Sequence, residues 1–195
     1  MHAHDHAHDH GGVDETSPLG FTGERVIPDD PKWAWCFQAH LFGYEDLVRR
    51  CAPGGVMLDI GCGEGYGAGV LAKHARLLVT GDVAFDAVAH AKQRYARDNV
   101  RWVVFDAQRL PFRDRAFDVT SSLQVIEHFA DTASHLDGVA RVTTPGGMHY
   151  VTTPNIDRMG EAERDNPFHL RDFRAKDLAE ALSAHFAEVQ LEGMY

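Results

Sequence analysis

The segment Val56-Met-Leu-Asp-Ile-Gly-Cys-Gly-Glu-Gly65 is an apolar run carrying one acid, followed by glycine at every second position, with Gly67 continuing the series. An apolar run of this length ended by a glycine cluster reads as a buried strand entering a tight turn. Glycine lets such a turn adopt positive φ and lets the backbone approach a ligand, because no Cβ stands in the way. Residues 66–74 have helix-compatible spacing, so the turn presents main-chain amides to whatever lies over the carboxyl end of the strand. This order of strand, glycine turn and helix points to an α/β fold with a nucleoside-sized ligand at the strand tips.

Dinucleotide-binding proteins carry G-x-G-x-x-G in the same place, so the glycines alone leave two ligand classes open. The acids favour one of them. Asp59 lies within the strand, where a carboxylate repels a pyrophosphate but favours a sulfonium or an ammonium group. Leu77-Leu-Val-Thr-Gly-Asp82 and Trp102-Val-Val-Phe-Asp106 also end in carboxylates. An acid at the second strand tip accepts both hydrogen bonds of a ribose diol, and one at the third suits an adenine amino group. No G-K-[ST] follows the glycines, so the lysine of a phosphate-binding loop is missing.

The series VMLDIGCGEGYGAGVLA, VTGDVAFDAVAHAK, FDAQRLPF, FDVTSSLQVIEHF and VTTPGGMHYVTTPN resembles the class I S-adenosylmethionine-dependent methyltransferases, in that family's motif order, from about Phe21 to the last residue. The resemblance implies a Rossmann-like, doubly wound, mainly parallel α/β sheet and S-adenosyl-L-methionine as cofactor. It also implies that Asp59, Gly61, Cys62, Gly63 and Gly65 surround the methionine moiety. Asp82 with Val83 then serves the ribose, Asp106 and Ala107 serve the adenine, and Gln124 lines the cleft. Asp59 as a satisfied buried acid and Asp106 as a turn cap are the structural alternatives. Arg25, in the string TGER, would pair with the cofactor carboxylate in a two-pronged manner, or form a surface salt bridge. The strings TGER and NPFHLRDF are similar to a bacterial branch that includes sugar and oligosaccharide O-methyltransferases.

Methyl transfer from a sulfonium needs approach geometry and dry surroundings. A hydroxyl acceptor must in addition lose its proton, for which histidine is the usual group near neutral pH. His128 follows the fourth strand in VIEHF. His169 lies in a loop of roughly 20 residues between Pro154 and about Arg174, a length that is often functional. These two are the expected catalytic residues. Arg171, Asn166 and His40 are the expected substrate contacts. Each has a structural alternative: a helix-start histidine at 128, a loop anchor at 166–171, an ordinary helix histidine at 40. Trp33, Trp35 and Phe37 either cap the cleft or belong to the core. No structural metal site is expected.

Strand signals near 56–60, 77–81, 102–105, 117–121, 148–153 and 188–191 alternate with helix signals near 33–50, 66–74, 85–97, 131–142 and 175–184, which implies a parallel sheet covered on both sides. The family's sheet finishes with a hairpin; here the chain stops at Tyr195, so a truncated hairpin is expected. At 195 residues the chain fits one domain, taken as residues 18–195 with a helical cap at 18–52. Residues 1–17 form a His/Asp-rich tail with histidine at every even position from His2 to His10, expected to be disordered, with opportunistic metal binding as the alternative.

Net charge is −10, from 19 Lys plus Arg against 29 Asp plus Glu. An acidic domain without a basic stripe suits neither nucleic acid nor an anionic membrane. Three cysteines without a C-x-x-C pair indicate reduced thiols and a cytoplasmic setting. Cys62 reads as small packing rather than a nucleophile. The expected protein is a monomer or homodimer that O-methylates a small polar or glycan acceptor. The rivals are an NAD-dependent oxidoreductase and a non-catalytic truncated protein whose histidine tail binds metal.

Overall fold

A computed structural model describes residues 25–160 and 166–193. The histidine tail and Thr22–Glu24 of the TGER string lie outside the described residues.

After a 3-10 turn at Pro31–Trp33, the helix α1 (Ala34–Arg50) leads into β1 (Val56–Ile60), α2 (Tyr66–Leu71), β2 (Leu77–Asp82), α3 (Phe85–Tyr95) and β3 (Val100–Val104). Then follow β4 (Phe117–Leu123), a 3-10 turn at Ile126–His128, α4 (Thr132–Val142), β5 (Thr143–Thr152) and α5 (Ala175–Ser183). The five strands run parallel in the order β3-β2-β1-β4-β5. The order reverses between β1 and β4, and in an open parallel sheet that switch point opens a crevice beyond the carboxyl ends of the strands. The doubly wound α/β expectation is met.

Alternation along the strands divides the core. Met57, Leu78 and Val119 join Tyr44 and Leu47 of α1 and Leu71 of α2 on one face. Leu58, Ile60 and Phe117 meet Val139 and Val142 of α4 on the other. Leu178 and Leu182 of α5 pack with Ile126, Leu136 and Phe173 in an adjoining cluster. Two glycines are required by close approach. A Cβ on Gly81 in β2 would stand 1.8 Å from the Val103 carbonyl oxygen, and one on Gly67 would stand 2.1 Å from Cζ of Tyr44. Asp118 accepts the Val56 amide through its side chain (2.8 Å), tying β4 to the start of β1.

Two expectations need correction. β5 begins five residues before 148, because Thr143 already pairs with Phe117 and the ladder then shifts register across Phe117 and Val119. Residues 188–191 do not form a strand. Val189 satisfies its hydrophobicity by packing under α5, while Leu191 is exposed, and the segment is held by Arg50 on Glu192 (2.6 Å). Among the described residues β5 is therefore the outer strand. No helix of the described residues is long and apolar enough to cross a membrane.

Candidate active site

The turn after β1 is built by main chain. Gly61, Gly63 and Gly65 have φ of 80, 48 and 87°, the left-handed region that favours glycine. The amides of Gly61 and Cys62 both donate to the Gly81 carbonyl (2.9 Å each), which folds the turn over the tip of β2. The Gly63 amide donates to Oδ2 of Asp82 (3.2 Å), whose Oδ1 accepts the Ala84 amide (3.0 Å). A Cβ on Gly63 would meet nothing within 4 Å, so this face of the turn is bare. Gly61, Cys62 and Gly63 after β1, Asp82 and Val83 at the end of β2, Asp106 and Ala107 after β3 and Gln124 after β4 lie at the carboxyl end of the sheet, and with Arg25 they line one broad open groove. Val83 is largely exposed at its rim. Oδ1 of Asp106 accepts the Gln108 amide (2.8 Å), so this acid also closes its own turn.

Asp59 and Gly65 are placed differently. Asp59 is fully buried and pairs in register with Thr80 on one side and Ser121 on the other. Its carboxylate accepts from both hydroxyls, at 3.0 and 2.8 Å. Burial pushes its pKa up to about 6, with Ser121, Thr80 and Tyr44 opposing through hydrogen bonds. The side chain braces β1 against its neighbours beneath the groove rather than facing it. Gly65 packs on Ala91 and Tyr95 and starts α2; its role is the shape of the turn. Cys62 is buried, and desolvation pushes its thiol far up, as expected for packing and not for a nucleophile.

The opposite wall is built by side chains. Gln124 follows β4 at φ 55°, an uncommon conformation for a residue with a Cβ. It is held by its amide on the Thr152 carbonyl (2.9 Å) and by Nε2 on Thr152 Oγ1 (3.0 Å). Glu127 is buried. Its carbonyl accepts the amides of both Leu170 (2.9 Å) and Arg171 (3.1 Å), and its Oε2 accepts from Thr153 (3.0 Å). Nδ1 of His128 donates to the Phe168 carbonyl (3.0 Å). Asn166 turns the loop by accepting the Phe168 amide through its side chain (3.0 Å) and the His169 amide through its carbonyl (3.1 Å). The result sets the rings of His128 and His169 5.4 Å apart, and burial pushes the Glu127 carboxyl upward.

His128, His169, Asn166 and Glu127 line the groove. Arg171 does not: its guanidinium donates to Thr132 Oγ1 (3.1 Å) and lies over the Phe173 ring, so the expected substrate contact is corrected to a loop anchor. His40 lines the groove with Nδ1 2.7 Å from the Tyr66 hydroxyl, and burial lowers its pKa to about 4, which keeps the ring neutral. Trp35 is exposed on α1 and lines the groove, whereas Phe37 packs edge-on against Tyr66. Sequence reasoning missed Glu127 as a site residue; the adjacent acid in VIEHF was the available signal. It also missed Thr80 and Ser121, whose signal was a single hydroxyl in β2 and a run of three, Thr120 to Ser122, in β4.

The chain is 40% identical over 177 residues to a protein of Mycolicibacterium smegmatis named as an S-adenosylmethionine-dependent methyltransferase, covering 89% of this chain and 67% of the relative. The chain belongs to that family. A second relative of this methyltransferase, from Mycobacterium tuberculosis and similarly named, is 38% identical over 91% of the chain and 65% of its own length. The chain thus spans about two thirds of these relatives. The family described as "Methyltransferase domain" matches residues 58–151, from β1 to β5. Among solved structures, the [4+2]-cyclase SpnF is similar with a TM-score of 0.65 and 26% identity, covering 83% of this chain and 62% of that one. A cyclase on the same architecture means that the reaction has to be argued from the site and not from the fold.

Proposed function

We propose that this methyltransferase transfers a methyl group from S-adenosyl-L-methionine to an oxygen of a small polar or glycan acceptor. The observation that carries the reading is the meeting of two unlike walls in one groove: a bare glycine turn flanked by strand-tip acids, and a cluster of proton-accepting side chains. The cofactor, when bound, supplies a methyl group made electrophilic by its sulfonium.

The residues present fit that group. The open face at Gly63 admits a ligand against main chain. Asp82 stands where a ribose diol would need an acceptor, with Val83 beside it. Asp106 and Ala107 take the adenine end, Gly61, Cys62 and Gly63 the methionine end, and Arg25 the cofactor carboxylate. α1 forms a cap over this side, within a domain that we take as residues 18–195. On the acceptor wall, Asn166, Gln124 and the two imidazoles offer hydrogen bonds, and half-exposed Phe168 offers an apolar ring face, a mixture suited to a hydroxyl-rich acceptor. Glu127, His128 and His169 surround the place where the hydroxyl proton is lost. The absence of a disulfide among Cys36, Cys51 and Cys62 supports a cytoplasmic location.

Incubation of a host extract with isotopically labelled cofactor, followed by untargeted mass spectrometry, tests the reading. The expected product carries one labelled methyl ether. Calorimetry should show S-adenosylhomocysteine binding and no binding of NADH; the reverse pattern would identify an oxidoreductase.

A further inference from the structure

The acceptor wall holds more than proton removal requires. Glu127, His128 and His169 each place one ligand atom so that all three lie within 4.8 Å of one another. Two imidazoles and one carboxylate form a set that binds first-row divalent cations while leaving coordination positions open. The supporting contacts of a metal site are also present. Nδ1–H of His128 donates to the Phe168 carbonyl, which fixes the orientation of the ring. Nδ1 of His169 lies 3.8 Å from Oδ1 of Asp172, which places a carboxylate beside the ring. Oε2 of Glu127 is steadied by Thr153. The two amides docked on the Glu127 carbonyl fix the separation of the segments that carry the ligands. All three line the groove, with Glu127 buried at its base and the two histidines partly exposed.

We propose that Glu127, His128 and His169 bind one divalent cation of the manganese–iron–zinc class, whose open positions take a hydroxyl, or two neighbouring hydroxyls, of the acceptor. Cation binding stands by itself; the hydroxyl half rests on the methyl-transfer reading. A coordinated hydroxyl loses its proton to solvent water more readily, because the cation stabilises the alkoxide. The alkoxide oxygen then donates its electron pair to the methyl carbon. The S–CH3 bond breaks with its pair on sulfur, the sulfonium becomes a neutral thioether, and the cation keeps its oxidation state.

The full chain is stripped with EDTA and titrated with Mn2+, followed by calorimetry and by loss of the free-ion electron paramagnetic resonance signal. Because the histidine tail can also take metal, the readout is the difference between variants. Wild type should bind one Mn2+ more than Glu127→Gln and His169→Ala. Equal stoichiometry and affinity in all three would overturn the site. Labelled-methyl transfer to oxygen at full rate in EDTA would overturn the cation's role and leave the methyl-transfer reading intact. Mn2+ binding with transfer only to nitrogen would leave the site standing and overturn the oxygen reading.

Discussion

The two walls of the groove are made of different material. At the tips of β1 and β2, positive-φ glycines and the shared Gly81 carbonyl set the surface, so main chain does the shaping. Beyond β4, the surface is assembled from side chains on segments far apart in sequence, such as His128 and Phe168, 40 residues apart. A main-chain wall suits a ligand shared by a whole family, since it depends little on side-chain identity. A side-chain wall can be rewritten residue by residue, and on the proposed function it is the wall that would set acceptor choice.

The comparison breaks if the walls cannot be separated by mutation. His169→Ala should slow turnover about 10²–10⁴-fold while calorimetry shows S-adenosylhomocysteine affinity unchanged; a parallel loss of cofactor affinity would mean one coupled wall. On the main-chain side, Gly81→Ala forces a methyl into the Val103 carbonyl. It should cost about 3 kcal/mol or more and lower Tm by roughly 6–12 °C in a thermal unfolding scan.

Two groups behind the walls should respond oppositely to acid. Burial raises Asp59, beneath the glycine turn, from 3.8 to about 6. Between those values the folded chain holds the extra proton, so this group adds stability as pH falls. Burial lowers His149, on β5 against Thr120 and Phe186, from 6.5 to about 3, and His135 beside it is lowered too. There the unfolded chain holds the extra proton, so stability is lost as pH falls below 6.5. His149→Phe should remove about 2 kcal/mol of the loss between pH 6.5 and 4.5 in denaturant titrations. Asp59→Asn should steepen that loss.

Smaller effects sharpen individual placements. Asp82→Ala should weaken S-adenosylhomocysteine by about 1–3 kcal/mol, and unchanged affinity would remove the ribose from this carboxylate. Arg171→Ala should cost about 0.5–1 kcal/mol of stability with turnover unchanged. A tenfold slower rate would return Arg171 to the acceptor pocket.

What the sequence disclosed followed the same division. The glycine turn and the positions of Asp82 at the end of β2 and Asp106 just past β3 were legible because a strand end and its turn are local chemistry. Asp59 was misplaced because its fate depends on register: Thr80 and Ser121 stand opposite it only once three strands are aligned. Arg171 and Glu127 were misjudged for a similar reason, since the docking of 168–171 on 127–128 pairs backbone groups that carry no side-chain signature. The strand expected at 188–191 failed because alternation of Val189 and Leu191 records burial preference, not the presence of a partner ladder.

One peptide oxygen, that of Glu127, receives two consecutive amide protons from the loop that completes its own wall. The resonances of Leu170 and Arg171 are therefore built-in reporters for a spectroscopist. Anything that pulls the carboxylate or imidazoles toward a guest shifts both signals together, whereas a guest confined to the glycine side leaves them still.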